Sequence, residues 1–357
     1  MKTVRDIGNL KDKKVLLRVD FDVPVDEKGQ IQEPFRVKKQ KEMLDWLVER
    51  GARVVMIAHI SAAPSFAELM PQLHILLGRE IDFIKTVGDI GAHLQNSSNP
   101  ALLDNVRQNA GEEKNEDKFA KQLASGFNIY INNAFAVCHR EHASVSAIAK
   151  LLPSYAGLLV EEEVKQLGTV LDAPAEGKVI IIGGAKAESK VPVIKNLIDK
   201  AEKILLGGVV ANDVLKEKGQ DMGSSVVDAD SRELLAGLDL NDPRLVAPKD
   251  FIVFDNKILD IGDGTMREYM DVIGKAKMII WNGPMGLFEN KAFARGTQVV
   301  AETIVNSGAR SIIGGGDTIA AVSPLGLLEK FSFVSTGGSA MLVFLAGQKM
   351  PGLEALN

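Results

Sequence analysis

Val179-Ile180-Ile181-Ile182-Gly183-Gly184-Ala185-Lys186 runs four β-branched residues straight into a glycine pair and a lysine. So short an apolar run predicts a strand buried on both faces, as in a parallel sheet. The same plan recurs four times. Ile204–Leu206 precedes Gly207-Gly208, and Met278–Trp281 precedes Asn282-Gly283-Pro284. Ser311–Ile313 precedes Gly314-Gly315-Gly316-Asp317-Thr318, and Phe331–Val334 precedes Ser335-Thr336-Gly337-Gly338. Loops at the carboxyl ends of parallel strands are where α/β proteins bind ligands. Glycine there lets backbone come close and presents bare N–H groups to phosphate oxygens. The second half of the chain therefore predicts a nucleotide site.

The first half keeps a strand-helix rhythm. Strands are predicted at Lys14–Val19, Arg53–Ala58, Ile81–Ile84 and Asn128–Ile131, with helices at Val37–Arg50, Ala67–Leu77 and from Phe119. Residues 95–117 are polar and predict mostly loop. Alternating strands and helices throughout predict an α/β fold with parallel sheets. Between the halves, Leu158–Leu171 predicts a helix that ends near Pro174.

A chain of 357 residues holds two ordinary domains. Its 46% apolar and 25% charged content is that of a globular protein. A net charge of -5 argues against a nucleic-acid binder. No apolar stretch is long enough to cross a bilayer, and Met1–Asp6 lacks a signal-peptide core. One cysteine, Cys138, excludes an internal disulfide and fits a reducing compartment, so a cytoplasmic location is expected.

Several common chemistries are excluded by pattern. No G-x-x-x-x-G-K-[ST] loop, G-x-G-x-x-G fingerprint or G-x-S-x-G elbow occurs. His139 and His142 lack the further ligands of a zinc site. What remains is charge placed at strand ends. Lys186, with Lys190 one turn later, can neutralise a transferring phosphoryl group. Asp317 can hold magnesium, which takes one or two carboxylates plus phosphate oxygens; a carboxylate there can equally cap a helix. In the first half, Arg18, Arg36, His59, Arg107, His139 and Arg140 lie at or near loops. Arginines so placed can grip an anion bidentately.

Taken together, these segments resemble the phosphoglycerate kinase family over almost the whole chain. Trp281-Asn282-Gly283-Pro284-Met285-Gly286-Leu287-Phe288-Glu289 is the most specific piece, and Arg18–Pro24 resembles the family's N-terminal signature. Gly183–Lys190, Asp260-Ile261-Gly262, Gly314–Thr318 and Ser335–Gly338 match in order and spacing. The resemblance implies two Rossmann-like parallel-sheet lobes joined by a hinge helix. The expected divisions are a phosphoglycerate-binding lobe at 1–156, the interdomain helix at 157–173, a nucleotide-binding lobe at 174–345, and a tail at 346–357 packing on the first lobe. It implies a monomeric glycolytic enzyme, with no nucleic-acid or membrane partner. The reaction is reversible phosphoryl transfer between 1,3-bisphosphoglycerate and ADP, giving 3-phosphoglycerate and ATP, with Mg2+.

By the same resemblance, Asp20, Asp22, Arg36, His59, Arg107 and Arg140 would bind the phosphoglycerate. Gly184, Lys186, Lys190, Gly208, Asn282, Pro284, Glu289, Asp317 and Thr318 would bind nucleotide. Arg36 and Lys186 would flank the transferring group, Asp317 would hold the metal, and Glu289 would meet the ribose. The departures concentrate in the first lobe. The family's His-Leu-Gly-Arg-Pro reads His59-Ile60-Ser61-Ala62-Ala63-Pro64 here, without its arginine, and Asp22 stands where asparagine is usual. These changes leave two alternatives open: a nucleotide-binding homologue with impaired catalysis or a regulatory role, and a kinase for a different small acid.

Overall fold

The computed structural model describes all 357 residues, which fall into two compact units. One comprises residues 1–165 with 349–357, and the other residues 166–348.

The first unit holds a six-stranded sheet. Its strands are β1 (Lys14–Arg18), β2 (Arg53–Ile57), β3 (Asp82–Ile84), β4 (Ala101–Leu103), β5 (Ile129–Asn132) and β6 (Ser154–Ala156), in spatial order β3-β4-β2-β1-β5-β6. Every pairing is parallel. Val15, Leu17, Val54 and Met56 enter a core with Val37, Met43, Leu44 and Leu47 from the helix Phe35–Glu49. The expected loop at 95–117 is wrong in its middle, where Ala101-Leu102-Leu103 forms β4 between β2 and β3. Three apolar residues among polar neighbours carry no periodic signal; their strand is made by partners on both sides.

The second unit holds another six-stranded parallel sheet. Its members are β7 (Lys178–Ile182), β8 (Lys203–Leu206), β9 (Leu245–Val246), β12 (Met278–Asn282), β13 (Arg310–Gly314) and β14 (Phe333–Ser335), in order β14-β13-β12-β7-β8-β9. β10 (Phe251–Phe254) and β11 (Lys257–Ile261) pair as a separate antiparallel hairpin, which the sequence reading left out. β7 is buried along its whole length, as its apolar run predicts. Even Lys178 is buried, because its ammonium caps the end of the helix Leu158–Asp172. Its Nζ donates to the carbonyls of Val170 and Ala173, 2.6 Å each.

Register levels the ends of the central strands in each sheet. Arg18 lies opposite Ile57 and Asn132, and Ile57 opposite Leu103. Asn282 lies opposite Ile182 and Gly314, and Ile182 opposite Leu206. Loops far apart in sequence are thereby delivered to one edge. No helix is long and apolar enough to cross a membrane.

Candidate functional sites at the strand ends

In the first unit, the loops after β1, β2, β4 and β5 carry Asp20 and Asp22, His59, Arg107, and Arg140. Arg36 comes from the first turn of the helix Phe35–Glu49. Its Nη1 donates to the Asp22 carbonyl at 3.1 Å and lies 3.7 Å from the buried Asp20 carboxylate. Asp20 also accepts from the Asp22 N–H at 3.1 Å. These contacts hold Arg36 in place with most of its guanidinium donors unspent.

Asp22 accepts from the Ser61 N–H at 2.8 Å, and His59 Nε2 approaches it to 3.3 Å. Burial alone would raise its pKa. The facing His59 imidazole and the Ser61 N–H outweigh burial and hold the carboxyl well below its ordinary range. Burial pushes His59 down, with Asp22 pulling the other way and Arg18 adding to the fall. Arg18 itself is buried and turned inward. It donates to Ser144 Oγ at 3.0 Å and meets His59 Nδ1 at 3.1 Å, bracing the strand ends from beneath.

Arg107 donates to Ser61 Oγ at 3.0 Å and pairs with Glu113 at 3.2 Å. Arg140 donates to His139 Nε2 at 3.5 Å. Burial and Arg140 push His139 down to about 4, and burial, Arg140 and Arg107 do the same to His142. Burial and then Arg107 lower Arg140 as well. Arg107 and Arg140 stand close enough to act on each other, Arg140 acts on both histidines, and Asp22 and Asp20 pull Arg140 the other way. An anion bound here would be attracted to both guanidinium groups. Sequence reasoning gave His142 no role here, and the only signal for it was its place three residues after His139.

Cys138 is buried against Asn132, and burial pushes its thiol up to about 12, so it is inert as a nucleophile.

In the second unit, the glycine turns lock into one another. Gly184 N–H donates to the Pro284 carbonyl at 2.6 Å, Gly208 N–H to the Met285 carbonyl at 3.0 Å, and Val209 N–H to the Gly184 carbonyl at 3.0 Å. A Cβ on Gly208 would stand 2.6 Å from the Gly184 nitrogen, so only glycine permits this approach. Asn282 and Thr318 are buried and stitch the turns together. Asn282 Nδ2 donates to the Gly314 carbonyl at 2.9 Å, and Thr318 Oγ1 accepts from the Gly283 N–H at 2.7 Å.

Beside these turns lies a cavity of about 280 Å3. Of the residues expected to bind nucleotide, Gly184, Gly208, Pro284, Glu289 and Asp317 line it. Lys186, Lys190, Asn282 and Thr318 lie outside its lining. The hairpin strands β10 and β11 supply part of the wall, through Phe251, Ile258 and Leu259, which carried no motif in the sequence. The apolar wall suits a flat ring, while the glycine turns and Asp317 form the polar side.

Lys190 is nearly buried, and its Nζ donates to the Ala185 carbonyl. Burial pushes it down to about 8, against the pull of Asp317 and Asp228. Lys186 is exposed and sits at φ 68°. Five non-glycine residues have positive φ. Asp12, Asn115, Asp255 and Asn256 are of the types that tolerate it, and Lys186 is the exception. A long side chain held in this region carries local backbone strain. No group of three or more His, Cys, Asp or Glu side chains is placed to hold a metal by itself.

A family model described as phosphoglycerate kinase matches residues 4–348. The phosphoglycerate kinase of Herpetosiphon aurantiacus is 38% identical, over 100% of this chain and 99% of its own. That of Pelotomaculum thermopropionicum is 36% identical, over 99% and 98%. Among solved structures, phosphoglycerate kinase from Pyrococcus horikoshii OT3 superposes with a TM-score of 0.89 at 30% identity, covering 100% of this chain and 98% of that one. The Coxiella burnetii phosphoglycerate kinase gives 0.82 at 30% identity, over 99% and 98%.

Proposed function

The chain belongs to the phosphoglycerate kinase family, and from that premise we propose how its residues divide the work of phosphoryl transfer. The protein is a phosphotransferase that exchanges a phosphoryl group between 1,3-bisphosphoglycerate and ADP, with 3-phosphoglycerate and ATP on the other side. The observation that carries the reading is the set of interlocked glycine turns at the level ends of β7, β8, β12 and β13, with a cavity beside them. The expected lobes, at 1–156 for phosphoglycerate and 174–345 for nucleotide, keep these roles.

In the nucleotide unit, Gly184, Gly208 and Pro284 shape the turn against which the nucleotide lies. Glu289 meets the ribose. Asn282 and Thr318 act one step back, by fixing the turns, and Lys190 supports the loop from below. In the other unit, Arg36, His59, Arg107 and Arg140 hold the anionic acid, with Asp20 and Asp22 orienting Arg36 and His59. Arg36 and Lys186 are the two cations that act on the transferring group. Little covalent work falls to the protein; it positions the reactants and offsets charge that moves during transfer.

Mg2+ fits this site as a nucleotide-borne ion. Of the carboxylates that line the cavity, Asp260, Glu289 and Asp317, only Asp317 stands in the first turn of the helix Gly316–Val322. No cluster of three is placed to hold a metal, so phosphate oxygens and water would complete the shell. When bound, the ion neutralises phosphate charge. A monomeric, cytoplasmic enzyme is what the family resemblance implies for this chain.

A coupled assay with 3-phosphoglycerate and MgATP tests the function: turnover is expected, and folded protein with none would overturn it. The loop after β2 provides a second test. Ala62, where the family's arginine would fall, is exposed, beside the Ser61 that Arg107 holds. Ala62→Arg therefore adds a cation without steric cost. A hydrogen bond to a charged group contributes roughly 1.5–3 kcal/mol, so the KM for 3-phosphoglycerate should fall about 10- to 100-fold. The KM for MgATP should stay constant. No change in either would show that position 62 does not face the substrate phosphate.

A further inference from the structure

The strained Lys186 loop is held from one side by two acidic residues that the reaction does not otherwise use. Ala187 N–H, the peptide directly after Lys186, donates to Asp228 Oδ2 at 2.9 Å. Asp228 is itself fixed, because its own N–H donates to Asp213 Oδ1 at 2.8 Å. Asp213 comes from the helix Gly208–Glu217 and is fully buried. Its second oxygen, Oδ2, is buried and receives no donor. The Asp228 side chain neighbours the Asp213 carboxyl and raises it.

Two carboxylates this close cannot both be charged cheaply, and a buried carboxylate oxygen without a donor is costly. One proton between them removes both penalties. We propose that Asp213 and Asp228 share a proton and act as a positioning pair that holds the Lys186 loop for phosphoryl transfer. The half-buried Asp228 accepts from the Ala187 N–H, and the buried Asp213 carries the proton. Burial and the Asp228 charge push Asp213 up to about 7.

The other charged groups around the pair are accounted for. On the helix of Asp213, Lys216 donates to Ser231, and Glu217 pairs with Arg232 of the helix Ser231–Leu235. That helix also carries Glu233, with Asp230 at its cap. The loop contributes Lys186, Glu188 and Lys190, and Lys190 feels Asp317 and Asp228 together. None of these supplies a donor to Asp213 Oδ2.

Above the transition both carboxyls are charged, their repulsion loosens the hold on Ala187, and Lys186 leaves its strained position. Asp213→Asn keeps the shape and cannot lose the proton. The inference rests on the assignment of Lys186 to phosphoryl transfer, so two readouts are needed. The first is stability, which is independent of catalysis. A carboxyl raised in the folded state binds its proton there while the unfolded chain has released it. Wild-type stability should therefore fall from about pH 4 to about pH 7 relative to D213N and then level off. The unfolding constant should change by up to about tenfold per pH unit in that interval.

The second readout is kcat/KM for MgATP. Wild type should lose activity above about pH 7, approaching tenfold per unit, whereas D213N should show no such limb. Denaturation curves with the same pH dependence in both proteins would overturn the shared proton. Parallel pH–activity profiles would overturn the positioning role. Unchanged turnover in Lys186→Ala would remove the premise, and the positioning role with it, while the stability arm still reads the proton.

Discussion

Lys186→Ala should slow phosphoryl transfer about 10²- to 10³-fold in kcat and leave the protein as stable as before. The rate effect is the magnitude expected when one preorganised donor to developing charge is lost, in a site that otherwise stays intact. The stability expectation follows from the side chain's surroundings. Lys186 is exposed, and alanine has the same Cβ, so the φ of 68° costs the variant much what it costs the natural chain. Lys190 differs, since it is nearly buried and bonded to the Ala185 carbonyl; removing it would disturb the loop as well as the charge. The measurement is steady-state turnover beside a denaturation curve. A K186A protein that turns over like wild type would contradict the assigned role. A large loss of stability would mean that the ammonium is structural.

Gly283→Ala should destabilise the second unit by about 3 kcal/mol or more and abolish tight nucleotide binding. Two independent costs act at this position. Gly283 has φ +94°, which L-residues rarely adopt, and a Cβ there would stand 2.0 Å from the Gly183 carbonyl oxygen. That collision is between backbone groups, so no rotamer change relieves it. The turn is pinned as well. Trp281 Nε1 donates to the Gly283 carbonyl at 2.8 Å, and the Gly283 N–H donates to Thr318 Oγ1 at 2.7 Å. Moving Gly283 to admit a methyl would break these bonds and part the turns of β7 and β12. Gly308→Ala is the control, with φ +70° and nothing within 4 Å of its Cβ, so it carries the conformational cost alone. Denaturation can be followed at Trp281 in a Trp46→Phe background, since the chain has two tryptophans. If G283A lies within about 1 kcal/mol of G308A, the close approach is not the constraint that the geometry implies.

Much of the architecture was legible from local pattern. Four-residue β-branched runs ending in glycine announce buried parallel strands, because such side chains suit a surface covered on both sides. The strand at 178–182 follows that logic, and those at 14–18 and 53–57 show the same buried apolar run without the glycine. β4 escaped it, and so did the hairpin at 251–261, where Val253 and Phe254 are exposed and no face alternates cleanly. A strand of three residues, or one with little buried area, exists because of its partners, and partners are not local information.

The candidate sites divide in the same way. Glycines, lysines and Asp317 could be read from the chain, since each residue type states what it can do near a phosphate. Whether a polar group is free to do it depends on its neighbours. Arg18 and Arg36 look alike in sequence, yet Arg18 is spent on Ser144, 126 positions away, and Arg36 keeps donors to offer. Asn282 and Thr318 carry the polar groups of ligands, and what the fold adds is that both are buried and tie the turns together. Asp213 and Asp228 belong to no motif, and only the packing of their two segments makes them a pair.

By itself, then, the sequence determined the α/β class, the strand-end placement of charge and the family. Those properties reside in residue type and short-range order, which the chain carries before it folds. Tertiary structure alone decided which strand ends stand level, which polar groups are already satisfied, and which carboxyls meet in a site without a donor. Burial and hydrogen-bond partnership are set by residues distant along the chain, so they exist only once the sheets have formed.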